Sequence, residues 1–225
     1  MPRVPQKKKK IAEKTSPGQW IIIGAIALVV ILIAVVVVRS FTAGTTAVEP
    51  RARYMANGMF MGNPNAPVKV INYSDFLCVH CYQYFLEQGE ALEENYINKD
   101  LVYMEFVPFN IFGERSAAAI SASYCAAEQN KFWEYHDILF VNQPNAQKGA
   151  FSNTNLVKYA GAAGLDTAQF RQCFDSGKYD AKVIESLERG KADGIEGTPS
   201  FLINGRFSYR NTLEAIIDEE LAKNK

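Results

Sequence analysis

Cys78 and Cys81 stand two residues apart, with Val79 and His80 between them. Cysteines at this spacing can close a disulfide with each other, and at a helix start they form a redox device. The backbone N–H groups of a first helical turn have no intrahelical partner and carry the positive end of the helix dipole. A thiolate on Cys78 sits against that end, so its pKa is expected to fall. His80, inside the ring that the disulfide would close, can donate to the thiolate or add positive charge. Thiol–disulfide exchange needs an attacking thiolate and a good leaving thiol, and the pair supplies both. The same four residues could be half of a zinc site. Zinc ordinarily takes four ligands, and the sequence holds no second C-x-x-C and no H-x-x-x-H. Redox chemistry without a metal is therefore the expectation.

The flanking segments have the periods needed to position such a pair. Val68 to Tyr73 is strand-like, with Pro67 tolerated at its edge. A helix is expected from Cys78 to about Asn98, with Tyr82, Phe85, Leu86, Gly89 and Leu92 at helical spacing. Leu101 to Val107 is a second strand, closed by Pro108. Strand, helix and strand in this order imply parallel strands joined by a right-handed crossover. A helical block follows, expected over Arg115–Gln129, Phe132–Phe140, Leu156–Ala163, Thr167–Phe174 and Tyr179–Ala192. Gly161, Gly164, Gly177 and Gly194 punctuate its helix ends. The sheet resumes at Ser200–Ile203, turns at Asn204-Gly205 in the manner of a type I′ hairpin, and returns at Arg206–Tyr209. Leu213 to Ala222 closes the chain as a helix with Leu213, Ile216, Ile217 and Leu221 on one face.

The chain of 225 residues carries 24 basic and 24 acidic side chains, a balance that gives no sign of nucleic-acid binding. The charge is unevenly placed. Residues 1–19, read as a cytoplasmic tail, hold Arg3, Lys7, Lys8, Lys9, Lys10 and Lys14 against Glu13. Trp20 to Val38 then runs without a charge or a proline. At helical rise that run spans roughly 28 Å, close to the hydrocarbon thickness of a bilayer. It is expected to be a single transmembrane anchor, with the N-terminus cytoplasmic and the rest extracytoplasmic by the positive-inside rule. A cleaved signal peptide is the alternative; the apolar run exceeds a signal h-region, although small residues follow at Thr42 to Ala47. Residues 39–60 read as a linker, and a folded domain is expected over 61–225.

With these segments in place, the chain resembles the DsbA-type thiol–disulfide oxidoreductases: a thioredoxin-like α/β fold with an inserted helical domain, here at about residues 110–193. The matching residues are Gly62 with Ala66-Pro67-Val68, then Asp75-Phe76 ahead of Cys78-Val79-His80-Cys81. Cys125-Ala126 with Glu128-Gln129 and Lys131 to Asp137 with Leu139-Phe140 follow. Gly194-Ile195-Glu196-Gly197-Thr198-Pro199 with Phe201 and Asn204-Gly205 complete the set. A C-x-x-C ahead of a distant Gly-Thr-Pro that opens a strand is far more specific than a lone C-x-x-C. The resemblance implies roles: Cys78 the exposed nucleophile, Cys81 its buried partner, and Thr198 preceding a cis Pro199 that faces them and offers a backbone edge to substrate. Two positions depart from the family. Val79 stands where proline is common, and Asn72 stands where many relatives have a buried carboxylate. Glu105, mid-strand, is the other carboxylate that could tune the site.

Cys125 and Cys173 remain. Outside the cytoplasm, with Cys78 and Cys81 paired together, the pairing left is Cys125–Cys173, a structural disulfide; two buried free thiols are the alternative. His136, amid Phe132, Trp133 and Phe140, is expected to be a packed histidine. The resemblance implies an oxidase that donates the Cys78–Cys81 disulfide to unfolded exported proteins. It also implies a separate quinone-linked membrane partner of the DsbB or vitamin K epoxide reductase type for re-oxidation. No cofactor beyond the redox disulfide is expected. A disulfide reductase or isomerase, or a non-enzymatic Cu(I) carrier using Cys78 and Cys81, are the competing readings.

Overall fold

Strand order decides which chain segments meet Cys78. In the computed structural model, which describes residues 23, 26–33, 51 and 53–223, five strands form one mixed sheet in the order β1-β3-β2-β4-β5. The central strand β2 (Val68–Ser74) lies parallel to β3 (Val102–Pro108), with Val68 opposite Val102 and Ser74 opposite Pro108. On its other side β2 pairs antiparallel with β4 (Ser200–Ile203), with Tyr73 opposite Ser200. The start of β4 therefore meets the end of β2, and the Thr198-Pro199 dipeptide is delivered beside the loop that carries Cys78. β5 (Arg206–Tyr209) completes the hairpin across Asn204 and Gly205, whose φ values of 49° and 84° are those of a type I′ turn.

Helix α1 follows β2 in three continuous parts: Val79–Tyr84, a π-helical turn Phe85–Gly89, and Glu90–Asn95. A separate 3₁₀ turn covers Ile97–Lys99. The single helix expected to about Asn98 is thus interrupted. The extra residue of a π turn advances the following side chains by about 100° around the axis, and Glu90 and Glu93 come to face Arg51 and Arg53. The helical insertion comprises α2 (Glu114–Glu128), α3 (Phe132–Asn142), a 3₁₀ segment Gln143–Lys148, α4 (Asn153–Ala162), α5 (Thr167–Asp175) and α6 (Asp180–Ala192). Its sheet-side helices bury small and aromatic residues: Ala119, Ala122 and Ala126 of α2, and Phe132, Tyr135 and Phe140 of α3. These residues share one core with Val70, Phe76 and Phe106 of the sheet side. The insertion is thus packed on the sheet face and does not hang from it. Helix α7 (Leu213–Ala222) buries Leu213, Ile216 and Ile217, the stripe expected of it.

Strand β1 (Phe60–Met61) was absent from the expected pattern because two residues carry no period. It pairs antiparallel with β3. Gly62 follows it at φ 92°, where a Cβ would stand 2.5 Å from the Val102 carbonyl oxygen, so only glycine fits.

The chain divides into two units, Met1–Ala47 and Val48–Lys225. The linker expected over 39–60 is corrected at its C-terminal end. Arg51 and Arg53 already belong to the folded unit: Arg53 donates to both carboxylate oxygens of Asp137, at 2.7 and 2.9 Å. The expected cytoplasmic tail 1–19 and linker residues 39–50 lie outside the described residues, as does the run 20–38 except for Ile23 and residues 26–33, which are helical and exposed. Among the described residues no helix is long and apolar enough to cross a membrane.

Candidate active site

Cys78 is the N-cap of α1, with extended backbone (φ −74°, ψ 121°). Its N–H donates to the Asp75 carbonyl and its own carbonyl accepts from Tyr82 N–H, each at 3.1 Å. The turn is anchored from below by Asp75, a wholly buried carboxylate. Asp75 accepts from Leu77 N–H at 2.8 Å, from Ile111 N–H at 2.9 Å and from the Ser116 hydroxyl at 2.6 Å. Gln143 donates to the Leu77 carbonyl at 2.9 Å. One carboxylate thus joins the cysteine turn, the loop after β3 and the start of α2. Phe76 fixes the other side against Phe106 and Phe140.

Cys78 and Cys81 are unlinked thiols in this structure, and Cys78, expected to be exposed, is buried at the helix start with 4% of its surface accessible, because the Thr198-Pro199 segment lies against its sulfur. The Cys78 thiol donates to the Thr198 carbonyl at 3.3 Å, and the Thr198-Pro199 peptide is cis. The Cys78 thiol is pushed down to about 6, chiefly by the hydrogen bond from the Cys81 thiol, against burial and with help from Thr198 and the backbone N–H groups of Cys81 and His80. Cys81, with no exposed surface, is pushed well up, first by burial and then by the neighbouring Cys78. The two sulfurs are therefore set for different tasks: one ionises readily, the other holds its proton. The Thr198 hydroxyl is buried, has no hydrogen-bond partner, and lies beside both sulfurs.

His80 departs from its expected role. Its imidazole is exposed and Nδ1 pairs with Gln83 Oε1 at 3.2 Å, while its backbone N–H is the part that faces Cys78. Val79 is half exposed beside the thiol. With His80 turned to Gln83, the copper-carrier alternative is left with two thiols; among the described residues no group of three or more His, Cys, Asp or Glu is placed to hold a metal.

Alternation along the strands sorts the carboxylate question. Asn72 and Ser74 lie on the β2 face beneath Cys81, and the Ser74 hydroxyl donates to Asn72 Oδ1 at 3.1 Å. On β3, Met104 lines the cavity on that face. Glu105, the next residue, is paired on both oxygens with Arg189 at 2.6 and 2.7 Å. Glu105 therefore does not tune the site. His136 is buried among rings, from Phe140 at 4.8 Å to Phe76 at 6.1 Å between centroids. Burial holds its imidazole below the usual range, and Nδ1 contacts Asp137 at 2.9 Å. Cys125 of α2 and Cys173 of α5 are joined, with S–S 2.05 Å and Cα–Cα 5.9 Å.

This is the geometry of a dithiol that exchanges with disulfides. The family model described as Thioredoxin matches residues 55–219. The chain belongs to the thioredoxin family, among its DsbA-type thiol–disulfide oxidoreductases. It is 30% identical over 171 residues to the "Probable disulfide bond formation protein D" of Bacillus anthracis, covering 72% of this chain and 78% of that relative. The structure of BdbD from Bacillus subtilis shares the fold, with a TM-score of 0.69 at 20% identity, covering 76% of this chain and 96% of that one. The structure of Wolbachia pipientis alpha-DsbA1 does so with a TM-score of 0.65 at 21% identity, over 76% and 94% of the two chains.

Ser74, Tyr84, Glu93 and Gln143 belong to no motif that the sequence shows. Ser74 adjoins the singled-out Asn72 region and could have been found from strand alternation alone. Tyr84 lies in the first part of α1, ahead of the π turn, while Glu93 follows that turn and Gln143 comes from the insertion, neither of which leaves a local signal.

Proposed function

We propose that the chain is an extracytoplasmic oxidase that donates the Cys78–Cys81 disulfide to unfolded exported proteins. The carrying observation is the contrast at the site: the Cys78 thiol lowered to about 6 beside a Cys81 raised well above its ordinary value. Stabilising the thiolate of the reduced form makes the disulfide easier to reduce, hence a better oxidant. Attack by a substrate thiolate at Cys78 breaks the Cys78–Cys81 bond and joins substrate to Cys78. A second substrate thiolate then attacks its own partner sulfur and expels Cys78 as the readily formed thiolate. The Thr198 carbonyl and its neighbours give an extended chain a backbone edge to pair with.

The run 20–38 supplies the membrane anchor in this reading, with residues 1–19 in the cytoplasm, and no cofactor is required beyond the redox disulfide. Re-oxidation falls to a separate quinone-linked membrane protein of the DsbB or vitamin K epoxide reductase type, because this chain has one apolar run of spanning length. The name of the Bacillus anthracis relative favours disulfide formation over reduction.

The test is a single-turnover reaction of the oxidised full chain with a reduced, unfolded two-cysteine protein. Transfer of one disulfide per chain, lost in Cys78→Ser, is the expected result. Failure to oxidise it, with efficient reduction of insulin disulfides instead, would reverse the assigned direction. Shielding of the domain from added protease in intact cells would overturn the assigned location.

A further inference from the structure

The two faces of the sheet are covered unequally at the β5 edge. On one face Tyr84 of α1 and Ile217 of α7 share a core with Phe201 of β4. On the other, α6 sets Gly190 against Tyr73 and Phe109, where a Cβ would stand 2.5 Å from the Phe109 ring. The chain then turns at Gly194 (φ 76°) and buries Ile195 in the cluster of Tyr73, Phe109 and Leu202. β5 lies at the margin of that cluster. Its Phe207 stands opposite Leu202 and its Tyr209 opposite Ser200. Alternation therefore puts both rings on this second face, where they are 40% and 60% exposed. They meet edge to face, with centroids 4.9 Å apart.

Between these rings and the loop after α6 lies a recess of about 340 Å³, lined by Gly194, Glu196, Gly197, Ser200, Phe207 and Tyr209. The Ser200 hydroxyl donates to the Gly197 carbonyl at 2.7 Å and holds the loop in shape. Glu196 is exposed, and its carboxylate has no ion-pair or hydrogen-bond partner among the described residues. The arginines that bracket the two rings are engaged elsewhere, Arg206 with Glu219 of α7 and Arg210 with Glu87 of α1. The recess thus offers two aromatic rings and one uncompensated carboxylate. A cation over such a ring is attracted by the ring quadrupole. An apolar occupant would strip water from the carboxylate and return nothing.

We propose that this recess is a specificity pocket for a lysine or arginine side chain near the reacting cysteine of the substrate, with Phe207 and Tyr209 as its ring platform and Glu196 as its counter-charge. The proposal rests on the reading of the chain as an enzyme that joins Cys78 to unfolded segments. Gly197 and Ser200 flank the Thr198-Pro199 dipeptide, and the Thr198 carbonyl stands 3.3 Å from the Cys78 sulfur. A segment laid along this backbone advances about 3.3 Å per residue, so a side chain one or two residues from its cysteine passes the recess. The apolar stem of a lysine or arginine packs on the rings while its charged head meets Glu196. The same carboxylate repels an acidic flank.

The test uses the full chain carrying Cys81→Ser, which stops at the mixed disulfide and so reads recognition whichever way electrons flow. It is equilibrated with the glutathione disulfide of a one-cysteine peptide. The Cys78 thiolate attacks the peptide sulfur, a Cys78–peptide bond forms, the peptide–glutathione bond breaks, and glutathione leaves as its thiolate with the electron pair. Three peptides carry lysine, glutamine or glutamate at the two positions on each side of the cysteine, and the Cys78–peptide disulfide is counted by mass. At low salt the lysine-to-glutamine ratio is expected to exceed that of the Glu196→Gln chain by about five-fold or more, with glutamate the poorest of the three. Phe207→Leu/Tyr209→Leu lowers the ratio in the same sense. Glu188→Gln, which removes the same charge from α6, keeps it. An equal ratio with and without Glu196 overturns the proposal. So does a ratio lost in Glu196→Gln but kept in Phe207→Leu/Tyr209→Leu, the mark of a charge effect outside the recess. Absence of any Cys78–peptide disulfide overturns the exchange reading and the pocket with it. Failure of the native oxidised chain to oxidise a reduced protein strikes the direction alone, and the ratio still decides the pocket.

Discussion

The thiol of Cys78 lies 3.3 Å from the carbonyl oxygen of Thr198, 120 residues further along the chain. A carbonyl accepts from a thiol and gives nothing to a thiolate. On ionisation the sulfur therefore exchanges that contact for donors: the Cys81 thiol, the Thr198 hydroxyl and the N–H groups of Cys81 and His80. Antiparallel pairing of β2 with β4 brings these two ends together, and the freed carbonyl is then open to a substrate backbone.

The first prediction follows from that exchange. Thiolate absorbance, or the rate of Cys78 alkylation, should rise half-maximally near pH 6, well below the roughly 8.5 of an unperturbed cysteine. Cys81 should stay silent over the same range. A single titration in the ordinary cysteine range would contradict the arrangement of donors.

The same ionisation shapes the potential. Below the Cys78 pKa both thiols hold protons and the potential should fall by about 59 mV per pH unit. Above it one proton is already lost and the slope should halve to about 30 mV. Glutathione equilibria measured from pH 5 to 8 would locate the break near pH 6.

Arg53 and Asp137 form a buried pair, with side chains 2% and 1% exposed. Removing one partner leaves a buried charge, so Arg53→Ala should lower stability by about 3–5 kcal/mol, read as a shifted urea midpoint with an unchanged slope. Burial holds His136 below its unfolded pKa, so the unfolded chain takes up the proton first and stability falls as pH drops below about 6.5. Asp137 is held low despite burial, by His136 and Arg53, so its contribution is kept above the unfolded carboxylate pKa and lost as pH falls through the folded one. Comparing urea midpoints at pH 7.5 and 5.5 should show a loss in the native chain that His136→Gln reduces.

Cys125 and Cys173 are separated by 48 positions. Replacing both with alanine should lower stability by about 2–4 kcal/mol without altering the Cys78 titration. Alkylation of the unfolded, unreduced chain should label two cysteines when the Cys78–Cys81 pair is reduced and none when it is oxidised.

Much of this was legible in local sequence. The strand–turn–helix around Cys78, the hairpin at Asn204-Gly205 and the α7 stripe each rest on a period or a dipeptide that needs no distant partner. Boundaries moved by a residue or two, as at Ser74 and Val102, because sheet pairing and not composition ends a strand. What was hidden depended on distant contacts. Arg53 gives no sign of its partner 84 residues away, so its surroundings read as linker. Glu105 gives no sign of Arg189, also 84 residues away, so its carboxylate stayed open as a tuning group. His80 could face the thiol or Gln83, and only the helix geometry selects Gln83. The π turn at Phe85–Gly89 has no residue pattern of its own, and it is what turns Glu93 toward Arg53.

The central claim is that this dithiol is built to give its disulfide away. The most direct measurement is the equilibrium reduction potential of Cys78–Cys81 against glutathione, in a Cys125→Ala/Cys173→Ala background so that one couple is titrated. The account predicts a value well above the glutathione poise, toward the end of the scale where DsbA itself lies at about −120 mV. A value near or below about −250 mV would contradict it, leaving the fold intact and the direction of electron flow reversed.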